Sequence, residues 1–275
     1  MTRNIILQVG FLSLIILIWS AIIGTDEGSA TFAADTKTSF RSSQVQATLI
    51  ELFTSQGCES CPPADIWMSE LQTRKGIWTE IVPVAFHVDY WDKLGWPDQY
   101  AQPIFTKRQR VYSMRWKRST IYTPNFVVNG KEWNGWFNME PIRVNSNTNA
   151  GVLEVTLTGG PREFKLRYFP ADEGEEWEGY VVVMGMGLLT VINKGENRGK
   201  QLMHDFVALS YLHERLNPTQ DGFGATFRLP RLKAEGSEYA VAAWVTRKNE
   251  VIPVQATGGM IPKHEAASLR QQRLY

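Results

Sequence analysis

Cys58 and Cys61 are the only two cysteines in the chain, and their surroundings narrow the choices more than any other feature. They follow the apolar run Ile50-Glu51-Leu52-Phe53, pass through the polar turn Thr54-Ser55-Gln56-Gly57, and precede Pro62-Pro63 at the head of a helical pattern. A Cys-x-x-Cys pair closes on itself, whereas a structural disulfide ordinarily staples distant segments. At a helix mouth the unpaired N–H groups and the helix dipole stabilise a thiolate, so the stretch reads as redox chemistry. Half of a metal site and an inert local disulfide are the alternatives.

The 275 residues suffice for two domains, and 43% hydrophobic residues can fill real cores. A formal charge of +1 leaves no electrostatic footprint for nucleic acid, so no such partner is expected. Arg3 followed by an apolar run from Ile5 to Ile23 reads as an export segment over residues 1–34, with a cleaved signal peptide and a retained membrane anchor both open. Export to the periplasm or the cell exterior puts the cysteines where a disulfide persists and must be managed by a redox partner. Residues 35–46, rich in Thr, Ser and Gln, read as a linker.

Ala47 to Phe53 suits a buried parallel strand. Pro62 to Gln72 reads as a helix, with Asp65 complementing its N-terminus and Ile66, Met68 and Leu71 supplying apolar contacts. Ile81 to Trp91 is the next strand, which makes a right-handed strand-helix-strand unit. A turn-rich excursion from Asp92 to Gln102 and a basic helix from Phe105 to Trp116 follow, then Thr123-Pro124, a short strand Asn125–Val128 and the hairpin signal Asn129-Gly130. Beyond residue 148 the texture changes to short β-like runs: Val152–Thr158, Phe164–Phe169, Tyr180–Met184, Leu188–Ile192, Asp205–Leu212, Ala225–Leu229 and Tyr239–Thr246. Asp172 to Glu176 is an acidic, solvated turn. Gly195 to Gln201 lacks the spacing and the Ser or Thr of a phosphate loop and reads as a loop between strands, with the first domain as a candidate contact. Residues 263–275 read as a tail with a short surface helix.

Cys58-Glu59-Ser60-Cys61 at a strand-to-helix junction, together with Thr123-Pro124 before the next strand, makes residues 47–140 resemble the thioredoxin fold, whose cis-proline faces the cysteine pair. The strings FTSQGCESCPPAD, AFHVDYWDKLGWPD, YTPNFVVNG and GENRGKQLMHDFV are similar to the exported thioredoxin-like family catalogued as domain of unknown function 1223. That resemblance implies an α/β thioredoxin-like domain, a mixed sheet with flanking helices, over residues 47–148. An all-β, sandwich-like domain over residues 149–262 follows from the strand pattern. The family implies a thiol site and says little about substrate. This chain departs from the thioredoxin pattern in having Gly57 rather than Trp before Cys58, Glu-Ser between the cysteines, and 63 positions between Cys61 and Pro124.

Cys58, the more accessible position in this geometry, is the expected attacking thiolate, and Cys61 the resolving thiol. Glu59 opposes the thiolate electrostatically and favours a reductant or isomerase over a strong oxidant. In thioredoxins a buried acid shuttles a proton for the resolving cysteine. Glu51, one position further from the first cysteine than in that pattern, is the candidate here, with an edge-exposed or merely hydrogen-bonded acid as the alternative. The Thr123-Pro124 bond is expected to be cis and to present the Thr123 backbone to an extended substrate segment. Trp91, Trp96 and Tyr122 are candidate substrate contacts. His87 could pair with Asp89 as acid and base, join the two thiols as a metal ligand, or simply end a strand in hydrogen bonds. The expected function is an exported thiol-disulfide oxidoreductase acting on protein or peptide thiols with no dissociable cofactor. Its rivals are a copper-binding or delivery protein using Cys58, Cys61 and His87, and a binding module with vestigial thiols.

Overall fold

In the computed structural model of the protein the described residues run from 37 to 270, leaving out 139, 145–146, 159–161, 173–175, 233–235 and 237. The expected export segment, the end of the tail and the middle of the acidic turn lie outside them. Among the described residues no helix is long and apolar enough to cross a membrane. The chain forms β1 (Ser39–Arg41), β2 (Thr48–Thr54), α1 (Pro62–Glu70), β3 (Ile81–His87), α2 (Pro103–Arg115), β4 (Asn125–Val128) and β5 (Lys131–Trp133). It continues through β6 (Val152–Leu157), β7 (Glu163–Phe169), β8 (Trp177–Met186), β9 (Leu188–Val191), β10 (Gln201–His204), β11 (Val207–Ala208) and β12 (Leu212–Arg215). β13 (Asn217–Thr219), β14 (Gly222–Arg228), β15 (Glu238–Arg247), β16 (Pro253–Ile261) and α3 (Lys263–Arg270) complete it.

The local order around the cysteines follows from the residues. All seven positions of β2 are buried, as a strand covered on both faces requires, and β2 runs parallel to β3 from Thr48 opposite Ile81 to Thr54 opposite His87. Pro62 and Pro63 open α1, where no backbone donor is lost. The buried residues of α1 are Ala64, Asp65 and Met68, while Ile66, expected inside, is 60% exposed. Asn129 and Gly130 turn β4 into β5 with φ of 45° and 77°, the left-handed pair that a tight hairpin needs.

An α/β thioredoxin-like domain followed by a separate sandwich is not what this chain builds. Strand outweighs helix, and one nine-stranded sheet, ordered β16-β15-β8-β11-β3-β2-β4-β5 with β12 also on β8, crosses the expected boundary. The two-residue β11 is the stitch: Val207 lies opposite Ala85 of β3 on one side and Gly185 of β8 on the other. The reason lies in β8 and β15, whose alternate residues are apolar on both faces. Tyr180, Val182, Met184, Ala242 and Trp244 join the core shared with α1 and α2. Val181, Val183, Val241, Ala243 and Val245 join the core under a five-stranded antiparallel sheet, β1-β6-β7-β14-β13. The strands beyond residue 148 therefore pack face to face, but one of their sheets continues into the sheet that carries the cysteines. Part of the expected linker is itself a strand, since β1 pairs with β6.

Candidate functional site

Cys58 and Cys61 form a disulfide with 5.4 Å between their Cα atoms. A turn brings them together: Ser55 O accepts the Cys58 N–H at 3.2 Å and Cys58 O the Cys61 N–H at 3.3 Å. Cys61 is the N-cap of α1, its carbonyl accepting the N–H groups of Ala64 and Asp65. Gly57 lets Trp91 close in, since a Cβ there would stand 3.1 Å from Cβ of Trp91 and push it back by a few tenths of an ångström. The Trp91 indole in turn donates to Thr123 Oγ1 at 2.8 Å, and the Thr123–Pro124 bond is cis as expected. Trp91 thus ties the cysteine turn to the cis-proline loop.

The sulfurs are not accessible: both cysteines are 0% exposed, contrary to the accessible position expected for Cys58. The distant β9–β10 hairpin lies against the turn that carries them. Asn197, itself 0% exposed, donates through Nδ2 to Gln56 O and Cys58 O, both at 2.9 Å. Glu196 Oε2 accepts the Glu59 N–H at 3.1 Å, and Gly195 stands against Trp96. Gln56 is the hub beneath: its side chain donates to Thr190 Oγ1 at 3.0 Å and accepts the Trp96 indole at 3.0 Å, and its N–H donates to Asp98 Oδ2 at 2.8 Å.

Beside this turn lies a buried polar cluster. His87 Nδ1 and Asp98 Oδ2 are 2.7 Å apart, and the His87 ring centroid is 5.0 Å from that of His204 on β10. His204 Nδ1 stands 3.7 Å from Asp65 Oδ2, too far for a hydrogen bond. Asp65 Oδ2, His87 Nε2 and both His204 nitrogens have no hydrogen-bond partner among the described residues. Burial, only partly offset by the charge of His87, raises the Asp65 pKa to about 7. Burial and the charge of His87 lower that of His204 to about 3. For His87, burial works against the charged form, but the charge and hydrogen bond of Asp98 prevail and raise its pKa. Burial opposes ionisation of Asp98, yet the charge and hydrogen bond of His87 and the N–H groups of Gln56 and Tyr100 hold its carboxyl below the usual range.

These shifts have opposite consequences for stability. Asp65 binds its proton more tightly folded than unfolded, so its contribution falls as pH rises from the usual carboxyl value of 3.8 to about 7. His204 binds its proton less tightly folded, so its contribution rises with pH from about 3 to 6.5. In the shared window the slopes cancel, each being at most about 1.4 kcal/mol per pH unit. Removing one should expose the other. Relative to the wild type, His204→Gln should lose stability as pH rises from 4.5 to 6.5 and Asp65→Asn should gain it, as read from denaturant midpoints. Parallel profiles for all three proteins would show that the two groups do not titrate as the cluster requires.

The remaining expected site residues fall in different places. Glu51 shares its face of β2 with Phe53, which packs on Tyr112 of α2, and its carboxylate is held by Arg108 Nε and Tyr112 Oη, each at 2.5 Å. Thr54, His87 and Asp65 are on the opposite, α1 side of the sheet. Trp91 and Trp96 are half-buried and hold the turn from below. Tyr122 is 41% exposed; its hydroxyl donates to Glu132 and its carbonyl accepts from Gln109. Among the described residues no group of three or more His, Cys, Asp or Glu side chains is arranged to hold a metal ion, and His87 Nδ1 is occupied by Asp98. Sequence reasoning missed Gln56, Asp98, Asn197 and His204, and read Asp65 only as a helix N-terminal charge. Asp65 had one signal: it stands one turn beyond Cys61, on the same helix face.

Residues 49–246 match the family described as "Protein of unknown function (DUF1223)". No curated protein matches. Two solved structures are similar in fold. One is the crystal structure of a protein from Agrobacterium tumefaciens, 24% identical over 78% of this chain and 93% of that one, with a TM-score of 0.53. The other is HBP35 of Porphyromonas gingivalis, 16% identical over 81% of this chain and 77% of that one, with a TM-score of 0.52.

Proposed function

The chain belongs to the DUF1223 family, and we propose that it works as an exported thiol-disulfide oxidoreductase on protein or peptide substrates. The observation that carries this reading is the Cys58–Cys61 bond at the N-terminus of α1 with Asp65, buried and titrating near neutrality, one turn further on. In the reduced pair, the Cys58 thiolate attacks a substrate disulfide and one substrate sulfur leaves as a thiolate. Cys61 then attacks Cys58 Sγ, frees the second substrate sulfur and closes the pair, so two electrons pass to the substrate. Asp65 is the acceptor for the proton that Cys61 gives up, the role expected at sequence level of Glu51. A dithiol partner protein restores the pair by the reverse exchange, and no dissociable cofactor takes part. Thr123 and Trp91, tied to the turn, form the substrate-side rim. The export segment over residues 1–34 delivers the protein as a cleaved signal or holds it as an anchor.

The poise is that of a reductant or isomerase. Glu59 and Glu196 put two carboxylates near the Cys58 turn, and both oppose a thiolate that the helix N-terminus favours. A redox titration of the purified protein, with metal content measured alongside, should give a two-electron transition nearer to about −270 mV than to about −120 mV. The same protein should exchange with a disulfide-bonded peptide. No transition, or stoichiometric copper retained by the thiols, would overturn the proposal.

A further inference from the structure

If the disulfide exchanges with substrates, as the reading above requires, something must first uncover it. A thiolate attacks in line with the S–S bond, and both cysteines are completely buried. The β9–β10 hairpin lies against the turn that carries them. Among the described residues β9 and β10 pair only with each other, and their outer side faces solvent, with Leu189, Val191 and Met203 each half-exposed. The hairpin is closed by its own backbone: Ile192 N–H donates to Lys200 O at 3.0 Å, Gly199 N–H to Ile192 O at 2.8 Å and Lys200 N–H to Asn197 O at 3.0 Å. It can therefore move as a body without losing its internal bonds.

Burial of Leu188, Ile192, Leu202 and His204 seats the strands, whereas the loop between them is held to the cysteine turn by side-chain bonds centred on one amide. Asn197 Nδ2 bridges the carbonyls of Gln56 and Cys58, and Lys200 Nζ fixes that amide by donating to its Oδ1 at 2.8 Å. Further polar contacts are the Glu196 carboxylate on the Glu59 N–H and, on β9, Thr190 Oγ1 accepting from Gln56 Nε2 and Gln99 Nε2. Gly195 and Gly199 flank the latch with φ of 76° and 83°. At Gly199 an added Cβ would meet nothing within 4 Å, so it is the left-handed backbone, and not crowding, that favours glycine there.

We propose that the β9–β10 hairpin is a lid latched by Asn197, and that the Cys58–Cys61 disulfide reacts only when this lid lifts. The hairpin also carries His204 into the buried cluster beside Asp65, so lifting it would open both the sulfurs and the proton acceptor to the substrate.

The test is reduction of the oxidised protein by dithiothreitol. One reagent thiolate attacks a sulfur of the pair, the other cysteine leaves as a thiolate, and the second reagent thiol closes the reagent's own disulfide, delivering two electrons. Asn197→Ala loses two buried hydrogen bonds and should accelerate reduction about tenfold or more. The urea dependence of the wild-type rate should be much shallower than that of global unfolding, because the opening uncovers the buried side of one hairpin, Leu188, Ile192, Leu202 and His204, and not the core beneath it. As a second readout, the Glu59 amide should exchange its hydrogen far faster than core amides of β2, and faster again in Asn197→Ala. Equal reduction rates in the two proteins, or a rate that tracks global unfolding with urea, would overturn the lid. The functional reading fails separately, if dithiothreitol shows the latch effect but neither protein exchanges with a disulfide-bonded peptide.

Discussion

Cys58→Ser is expected to reduce thiol exchange to the uncatalysed background, while Cys61→Ser is expected to accumulate mixed disulfides with its substrates. The asymmetry follows from how the two residues are held. Cys61 is the N-cap of α1, and its carbonyl is committed to the first helical turn through Ala64 and Asp65. Cys58 sits in the preceding turn, and its carbonyl accepts from the Asn197 amide as well as from the Cys61 N–H. Lifting the lid therefore frees the Cys58 turn and leaves Cys61 anchored in the helix. Without Cys61 an adduct on Cys58 has no neighbouring thiol to release it, so it persists. Mass spectrometry of non-reduced adducts reads the trap, and alkylation of the reduced wild type reads the order. If Cys61 is alkylated as fast as Cys58, or faster, the two roles are exchanged.

Where sequence reasoning succeeded, the determinants were local. The β2-turn-α1 junction, the parallel β2–β3 pair and the Asn129-Gly130 hairpin each follow from residues a few positions apart. The site's cover is different: Asn197 and Cys58 are 139 positions apart, and no spacing within one segment reveals that pairing. The continuous sheet left a trace in Tyr180 to Met184 and Tyr239 to Val245, which are apolar at every position. A sandwich with one solvated face should alternate there, so unbroken burial already argued for cores on both sides. β16 was masked by Gly258-Gly259, which resemble a turn; in the fold an added Cβ on Gly259 would lie 2.1 Å from the Phe40 ring. The N-terminal strand β1, which carries Phe40, was masked in the same way by its Ser- and Thr-rich surroundings.

Glu51 also shows where a sequence rule needs the fold. A buried acid near a cysteine pair invites a catalytic role, but the strand's alternation turns this one towards α2, where Arg108 takes it. The guanidinium lies over a ring of aromatics from both halves of the chain, 4.9 Å from the Trp244 centroid and between 5.2 and 5.8 Å from those of Phe86, Tyr112, Tyr180 and Tyr211.

Arg108→Ala is therefore expected to be among the most destabilising single changes in the protein. It leaves the Glu51 carboxylate buried with only Tyr112 as a partner and empties the aromatic ring that joins α2 to β8 and β15. Breaking a buried pair from one side costs about 3–5 kcal/mol, which for a chain of this size lowers the melting temperature by about 10 °C. Removing both charges with volume kept, as in Glu51→Gln with Arg108→Met, should recover part of that loss, since neither partner is then stranded. Thermal unfolding of the two single variants and the double variant supplies the cycle. The same proteins separate a structural acid from a proton shuttle: below its melting temperature Glu51→Gln should reduce a peptide disulfide with the wild-type rate and pH profile, whereas Asp65→Asn should not. If Glu51→Gln instead keeps its stability and loses the pH dependence of exchange, the proton path runs through β2, and Asp65 is only a buried acid.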